Sequence, residues 1–405
     1  MNETPIANRL AIGIFGRRNA GKSSFINALT GQDLAIVDKS PGTTTDPVGK
    51  AMEVAGLGPV YIYDTAGIDD EGELGVKRVS KSREIIRHIN LGIIITTYQG
   101  YNSFDDDLIK ELKNMGKEVV VFFNKIDIEA KDEQKENALK ERGITHFSLS
   151  CTTGKNMDEA RQIIVKTGSK LSVENSTIIG DLIKTGDFVV LVVPIDLGAP
   201  KGRLILPQVQ VLRDCLDNDA VPMIVKDREL QFALNNLSTK PALVICDSQV
   251  VLKTAGDVPA DIKLSTFSIL FSRLKGDLTE FVRGVKAIDS LKDGDKVLML
   301  EACTHHSQAD DIGRVKIPRW IRQYTGKDIA FEVNAGPSIN KDVKEYKMAI
   351  ACGGCMINRQ EMMARIVDCR NLGIPITNNG AAISYVQGVL KRVIAPFPET
   401  EGLLD

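Results

Sequence analysis

Little in this sequence pulls it toward a polyanion or a bilayer. Its 51 basic and 53 acidic residues leave a formal net charge of −2. Broad electrostatic attraction to nucleic acid or to an anionic membrane is therefore not expected. No apolar run reaches the roughly 20 residues of a membrane-spanning helix. The opening stretch MNETPIANRL lacks the basic, apolar, small-residue order of a signal peptide, so a cytoplasmic location is expected. There is no solenoid-length repeat and no low-complexity tract. Cysteines are odd in number, seven in 405 residues: Cys151, Cys215, Cys246, Cys303, Cys352, Cys355 and Cys369. Scattered in this way they argue against a disulfide framework. Only Cys352 and Cys355 stand close enough in sequence to form a motif by themselves.

What is present is an ordinary globular balance, 43% hydrophobic and 26% charged, with length for two or three domains. Short apolar runs (LAIGIF, VYIYD, LGIIITT, EVVVFFN, ITHFSLS) alternate with helix-like stretches such as FDDDLIKELKNMG and KDEQKENALKERG. Runs apolar at consecutive positions suit strands buried on both faces of a mainly parallel sheet, the doubly wound α/β pattern. LSVENSTIIG reads as a linker, and TIIGDLIKTG as a flexible segment that allows domain movement. A smaller unit with strands in GDFVVLVVPID and KPALVICDSQ follows. A third series, DKVLMLEAC, DIAFEVNAG, YKMAIACGG and IPITNNGAA, again reads as parallel strands between helices such as QEMMARIVDCRNLG and AAISYVQGVLKRVI. The expected division is a P-loop domain over 1–170, a small α/β domain over 171–264 and a C-terminal parallel-sheet α/β domain over 265–405.

IFGRRNAGKSS carries the P-loop pattern, from Gly16 through Asn19, Ala20 and Gly21 to Lys22, Ser23 and Ser24. It follows an expected strand and opens an expected helix, the context that gives the motif its meaning. Glycines let backbone N–H groups wrap phosphates, and the helix N-terminus adds partial positive charge. Lys22 then reaches the β- and γ-phosphates, and Ser23 offers an oxygen to Mg²⁺. YDTAG puts Asp64 at a strand end near that ion, with Gly67 placed to turn its N–H to a γ-phosphate. FFNKID supplies Asn124, Lys125 and Asp127, and an aspartate there can accept two hydrogen bonds that guanine offers and adenine does not. In SLSC, a backbone N–H at Ser150 or Cys151 can meet the guanine carbonyl. The set resembles the translation-factor-like class of small GTPases.

More narrowly, GRRNAGKSS, PGTTTD and DTAGI resemble the bacterial GTPases related to Era and to the tRNA-modifying GTPase TrmE. That resemblance implies K⁺ beside the phosphates at Asn19 and Thr44, or its neighbour Thr43, on Mg²⁺. It also implies no water-orienting glutamine, and Ile68 stands at that position here. Slow, Mg²⁺-dependent, K⁺-stimulated hydrolysis of GTP to GDP is expected.

At the other end of the chain, Cys303-Thr304-His305 follows one apolar run and Cys352-Gly353-Gly354-Cys355 follows another. Ligands gather at the carboxyl ends of parallel strands, so these thiols can meet. From the residues alone four readings stand open. They are core thiols, a redox dithiol, a structural zinc site of Cys303, His305, Cys352 and Cys355, and an iron–sulfur cluster on three thiolates.

A GTPase domain, a small middle domain and a C-terminal domain with C-x-H and then CGGC resembles the FeFe-hydrogenase maturation GTPases, the HydF family, along essentially the whole chain. The resemblance implies a scaffold that binds a 4Fe–4S cluster on Cys303, Cys352 and Cys355. It would receive a transient di-iron precursor carrying CO, cyanide and a dithiolate bridge from two radical-SAM maturases, and deliver it to apo FeFe-hydrogenase. It also implies a homodimer or higher oligomer, for which the apolar stretch DFVVLVVPI would suit an intersubunit sheet. No nucleic acid or membrane partner is expected. Many members have histidine just before the CGGC; here it is Ala351. His305, His306, Glu301, Asp310 and Asp311 are the candidates for a fourth, exchangeable ligand. The alternative is an RNA- or ribosome-associated GTPase with a C-terminal Cys/His zinc domain, against which the lack of a dense basic cluster counts. A third reading is a redox enzyme that turns over the CxxC. His88, His146, Trp320, Cys215, Cys246 and Cys369 read as packing or surface residues. NNGAA, 378–382, reads as a helix start whose N–H groups can face an anion.

Overall fold

The computed structural model describes residues 9–30, 49–65, 85–173, 177–194, 204–301, 311–335, 345–354 and 357–405. The chain divides into two compact units, 1–175 and 176–405.

The first unit is built on β1 (Leu10–Phe15), β2 (Gly49–Val54), β3 (Gly58–Asp64), β4 (Leu91–Thr96), β5 (Glu118–Phe123) and β6 (Thr145–Ser148). They lie in the order β2-β3-β1-β4-β5-β6. All neighbours are parallel except the β2–β3 pair. Every residue of β4 is buried, as its unbroken apolar run requires. β2 alternates from Ala51 on, with Met52 and Val54 buried and Ala51 and Glu53 exposed, as suits an edge strand. Chain order reverses around β1, so the crevice beside it is the topological switch point where open α/β sheets bind ligands.

The second unit holds two parallel sheets. One contains β7 (Phe188–Val192), β8 (Val221–Val225), β9 (Leu243–Cys246) and β10 (Lys263–Thr266), ordered β10-β9-β7-β8. The other contains β11 (Lys296–Glu301), β12 (Ala330–Ala335), β13 (Tyr346–Ala351) and β14 (Ile376–Asn378), ordered β12-β11-β13-β14. One continuous core, running from Ile179 through Val244 and Ile269 to Met348 and Ile383, joins them. β10 straddles the 264/265 boundary expected from the sequence.

Three expectations are corrected here. DFVVLVVPI cannot pair across subunits, because β7 is hydrogen-bonded on both sides, to β8 and β9. The edges of that sheet are β8 and β10. β8 exposes Val221 and Ile224, and Phe232 on the following helix Leu230–Asn236 is 72% exposed. TIIGDLIKTG is a packed turn, with Ile178, Ile179 and Ile183 in the core and the Ile179 N–H donating to Asp214 Oδ2 at 2.7 Å. AAISYVQGVLKRVI forms two helices, Asn379–Val386 and Leu390–Ile394, parted at Gly388, whose φ of +72° no helix accommodates.

Candidate functional site

At the end of β1 the chain enters a left-handed path: Gly16 has φ +144°, Asn19 +63° and Gly21 +100°. A Cβ on Gly16 would lie 2.1 Å from the Ile95 carbonyl oxygen, so only glycine fits there. The helix Lys22–Thr30 follows, with Ser23 and Ser24 exposed in its first turn and Lys22 only 9% exposed. Lys22 Nζ donates to the Gly16 and Arg17 carbonyls at 2.7 and 2.9 Å, which holds the ammonium over the loop. Asp64 closes β3 beside it. Burial raises the Asp64 carboxyl pKa, and the Lys22 charge opposes that rise.

Asn124, 3% exposed, ties the loops together. Its Nδ2 donates to the Ala20 carbonyl at 2.9 Å, and its Oδ1 accepts from the Cys151 N–H at 3.0 Å. A Cβ on Gly21 would sit 2.2 Å from that Nδ2. Lys125 takes φ +66° at the strand end, Asp127 is exposed, and Ser150 is fully buried with its N–H on the Lys155 carbonyl at 3.0 Å. The Cys151 thiol is pushed up to about 12 by burial and by the nearby Asp127, so it serves as a neutral side chain. A cavity of about 220 Å³ opens here, lined by Arg17, Arg18, Asn19, Thr97 and Lys125 among others. The two arginines were not singled out from the sequence, although they occupy the variable positions of the P-loop. Thr43, Thr44, Gly67 and Ile68 lie outside the described residues.

The second site lies at the carboxyl edge of β11 and β13, which are adjacent and parallel with Leu300 opposite Ala351. Chain order reverses here too: β12 lies on one side of β11, and β13 and β14 on the other. The Cys352 N–H donates to the Leu300 carbonyl at 2.9 Å, so the cysteine loop starts against the end of β11. Cys352 is half-buried, and Gly354 takes φ +62°. The loop leads to helix Arg359–Asn371, capped by Asn358 Oδ1 on the Glu361 N–H at 3.0 Å.

Glu301, the last residue of β11, is 5% exposed and accepts two hydrogen bonds from Arg314, Nε at 2.7 Å and Nη2 at 2.6 Å. Asp311 Oδ1 accepts the Arg314 N–H at 2.8 Å. Both carboxylates are thus engaged by Arg314. Cys303, His305, His306, Asp310 and Cys355 lie outside the described residues, among which no three His, Cys, Asp or Glu side chains converge.

Of the remaining residues, Cys215, Cys246 and Cys369 are buried, each thiol pushed up to about 12 by burial. Trp320 packs against the core, and His88 is buried beside Tyr63. The helix start at NNGAA is closed by its own residue, Asn378 Oδ1 on the Ala381 N–H at 2.9 Å.

Among the described residues no helix is long and apolar enough to cross a membrane. A family model described as the hydrogen maturase F tetramerization domain matches residues 279–396, and one described as the hydrogen maturase F dimerization domain matches 178–276. Together they cover more than half of the chain. A third, described as a 50S ribosome-binding GTPase, matches 11–125. The tRNA modification GTPase MnmE of Methylococcus capsulatus is 36% identical over 163 residues, 40% of this chain and 35% of that protein. GTPase Der of Kosmotoga olearia is 29% identical over 184 residues, 42% of this chain and 41% of that protein. The matches thus span well under half the length of these curated relatives. Among solved structures, a GDP–aluminium fluoride complex of Aquifex aeolicus Era is 19% identical with a TM-score of 0.33, covering 53% of this chain and 92% of that one.

Proposed function

Because this chain belongs to the hydrogen maturase F family and carries a GTPase domain of the Era/TrmE kind, we propose that it is a cytoplasmic, GTP-hydrolysing scaffold for hydrogenase maturation. The reading assigns GTP switching to 1–170, self-association to 171–264 and a 4Fe–4S cluster to 265–405. The cluster supplies an iron on which an incoming di-iron precursor can be held. That precursor comes from two radical-SAM maturases and passes to apo FeFe-hydrogenase.

The observation that carries this reading is the strand order of the last sheet. Its switch point falls between β11 and β13, the two strands that run toward Cys303 and into Cys352. Cys352 opens the loop at that edge, and a thiolate there fits iron–sulfur ligation. Two buried cations fit it as well. Lys275 donates to the Gly354 and Ile357 carbonyls at 3.0 and 3.1 Å, and Arg365, 1% exposed, donates to the Glu301 carbonyl at 3.3 Å. Cys303, Cys352 and Cys355 would hold the cluster, with His305 as a candidate fourth ligand. The exposed apolar edge at β8 supports association of chains into a homodimer or higher oligomer.

In the first unit Lys22 binds the β- and γ-phosphates, Ser23, Thr44 and Asp64 serve Mg²⁺, Gly67 meets the γ-phosphate, and Asp127 reads guanine. Asn19, exposed at φ +63°, would hold K⁺. Exchanging K⁺ for Na⁺ is expected to slow GTP hydrolysis about tenfold, the effect of roughly 1.4 kcal/mol in the barrier. A flat cation titration removes Asn19 from the site.

Metal and sulfide analysis of anaerobically prepared protein, with EPR after reduction, tests the scaffold reading. About four iron and four sulfide per chain is the expected result. About one zinc without iron would replace the cluster by a structural clip.

A further inference from the structure

We infer that Tyr98 is a positioning residue for guanine recognition, setting the distance between the two walls of the base slot in the first unit. The inference rests on the reading of Asp127 as the residue that recognises guanine.

Those walls are the turn that carries Asp127 and the loop that begins at Ser150. They lie close together: after burial, the Asp127 charge is what raises the Cys151 thiol. The first wall follows β5 through Asn124 and Lys125. The Ile128 and Glu129 N–H groups close it on the Lys125 carbonyl at 3.0 and 2.9 Å, and it leads into helix Glu133–Glu141. The second wall continues β6, whose last residue is Ser148.

Tyr98 follows shortly after the end of β4 and is 2% exposed. It touches each of the three segments that lead to or from the slot. Its ring lies flat on Phe123, the residue before Asn124, with centroids 4.4 Å and planes 4° apart. Its hydroxyl donates to Glu136 Oε1, in the helix after the first wall. The same hydroxyl lies 2.6 Å from Ser148 Oγ, at the entry to the second wall. Ser148 Oγ in turn donates to Glu136 Oε1 at 2.9 Å. The adjacent Gln99 N–H donates to Glu129 Oε2 at 3.0 Å, on the turn itself. Lys135 Nζ donates to the Tyr101 carbonyl at 3.3 Å, so the helix also holds the loop that carries Tyr98.

Packing does not account for the hydroxyl. Phenylalanine would make the same stack on Phe123 with no polar group to satisfy. What the hydroxyl adds is a link between the helix that follows Asp127 and the strand that precedes Ser150. Burial, then the bond to Glu136, raise the Tyr98 phenol pKa, so it stays a donor at neutral pH. Burial opposes ionisation of Glu136, but the hydrogen bonds from Tyr98 and Ser148 outweigh it and lower that carboxyl pKa. Two hydroxyls on one carboxylate make a charge-assisted clamp. Hydrogen bonds weaken steeply with distance and angle. A slot that opens slightly therefore loses grip on the edge of the base read by Asp127.

The test uses full-length wild type, Tyr98→Phe, Ser148→Ala and Asp127→Ala, titrated with ribose-labelled GDP and with inosine diphosphate. Inosine keeps the N1–H and lacks the 2-amino group that Asp127 also accepts from. Melting without nucleotide is read alongside. Partial unfolding weakens both nucleotides by the same competent fraction, so the ratio of their affinities does not respond to a mere loss of stability. Wild type is expected to prefer GDP by about tenfold or more, the worth of one hydrogen bond to a charged group. Tyr98→Phe is expected to cut that preference by about threefold or more, because the bond is misaligned rather than removed. Should Tyr98→Phe melt below the assay temperature, Ser148→Ala breaks the same clamp from the strand side and is read in its place. An unchanged ratio in a folded clamp variant overturns the inference, whether the two affinities stay or fall together. A wild type without preference for GDP, or an Asp127→Ala variant that keeps it, overturns the base reading itself, and the inference with it.

Discussion

Replacing Lys22 by alanine is expected to lower GTP hydrolysis by about 10²–10³-fold, the usual loss when one preorganised donor to developing charge is removed. The fold should survive, because the hydrogen bonds from Lys22 to the Gly16 and Arg17 carbonyls join residues of one loop. A shift in melting of a few degrees corresponds to about 1 kcal/mol for a unit of this size. A second effect follows through Asp64. Its carboxyl is already raised by burial, and Lys22 is the charge that opposes the rise. If Asp64 serves Mg²⁺ as proposed, the ion needs the ionised carboxylate, and binding should weaken as pH falls through that raised pKa. Without Lys22 the pKa rises further, and the acid limb of the residual rate should move to higher pH. Single-turnover hydrolysis from pH 5 to 8 measures both. A variant with wild-type rate and profile would place the phosphates elsewhere.

Replacing Cys352 by alanine is expected to take bound iron from about four per chain to below one. Cys352 is half-buried at a strand end and fixed in register by its N–H on the Leu300 carbonyl. Cys369 is the matched control. It is 1% exposed in a helix, and its thiol is pushed up to about 12 by burial, so it offers no thiolate at neutral pH. Cys369→Ala should keep its iron and lose only packing, on the order of 1 kcal/mol. Iron retained by Cys352→Ala and lost by Cys369→Ala would reverse the assignment.

The elements that were legible from the sequence are those whose environment is uniform. β1, β4 and β5 are buried on both faces over most of their length, and they carry unbroken apolar runs, Leu10–Phe15, Leu91–Ile95 and Val119–Phe123. β2, β8 and β10 were not legible. β2 alternates, β8 carries Pro222 and is largely exposed, and β10 is the four-residue KLST. The P-loop and NKID announce themselves because phosphate and guanine demand fixed residue types at fixed spacing. Lys275 gives no such signal. It acts on the cysteine loop from 79 residues away, and only the packed helix brings it there. The role of β7 was misread for a related reason: an apolar run reports burial, not whether the neighbour on either side belongs to the same chain.

The strut formed by Asn124 has a consequence for binding entropy. It joins the loop that receives phosphates, through Ala20, to the loop expected to receive the base, through Cys151. The left-handed residues beside its anchor points, Asn19 next to Ala20 and Lys125 next to Asn124 itself, are thereby held in uncommon conformations before any ligand arrives. The ordering of this cradle is settled when the chain folds. Where a nucleotide touches these described loops, it meets a preformed mould, and little of that contact energy is diverted into immobilising their backbone.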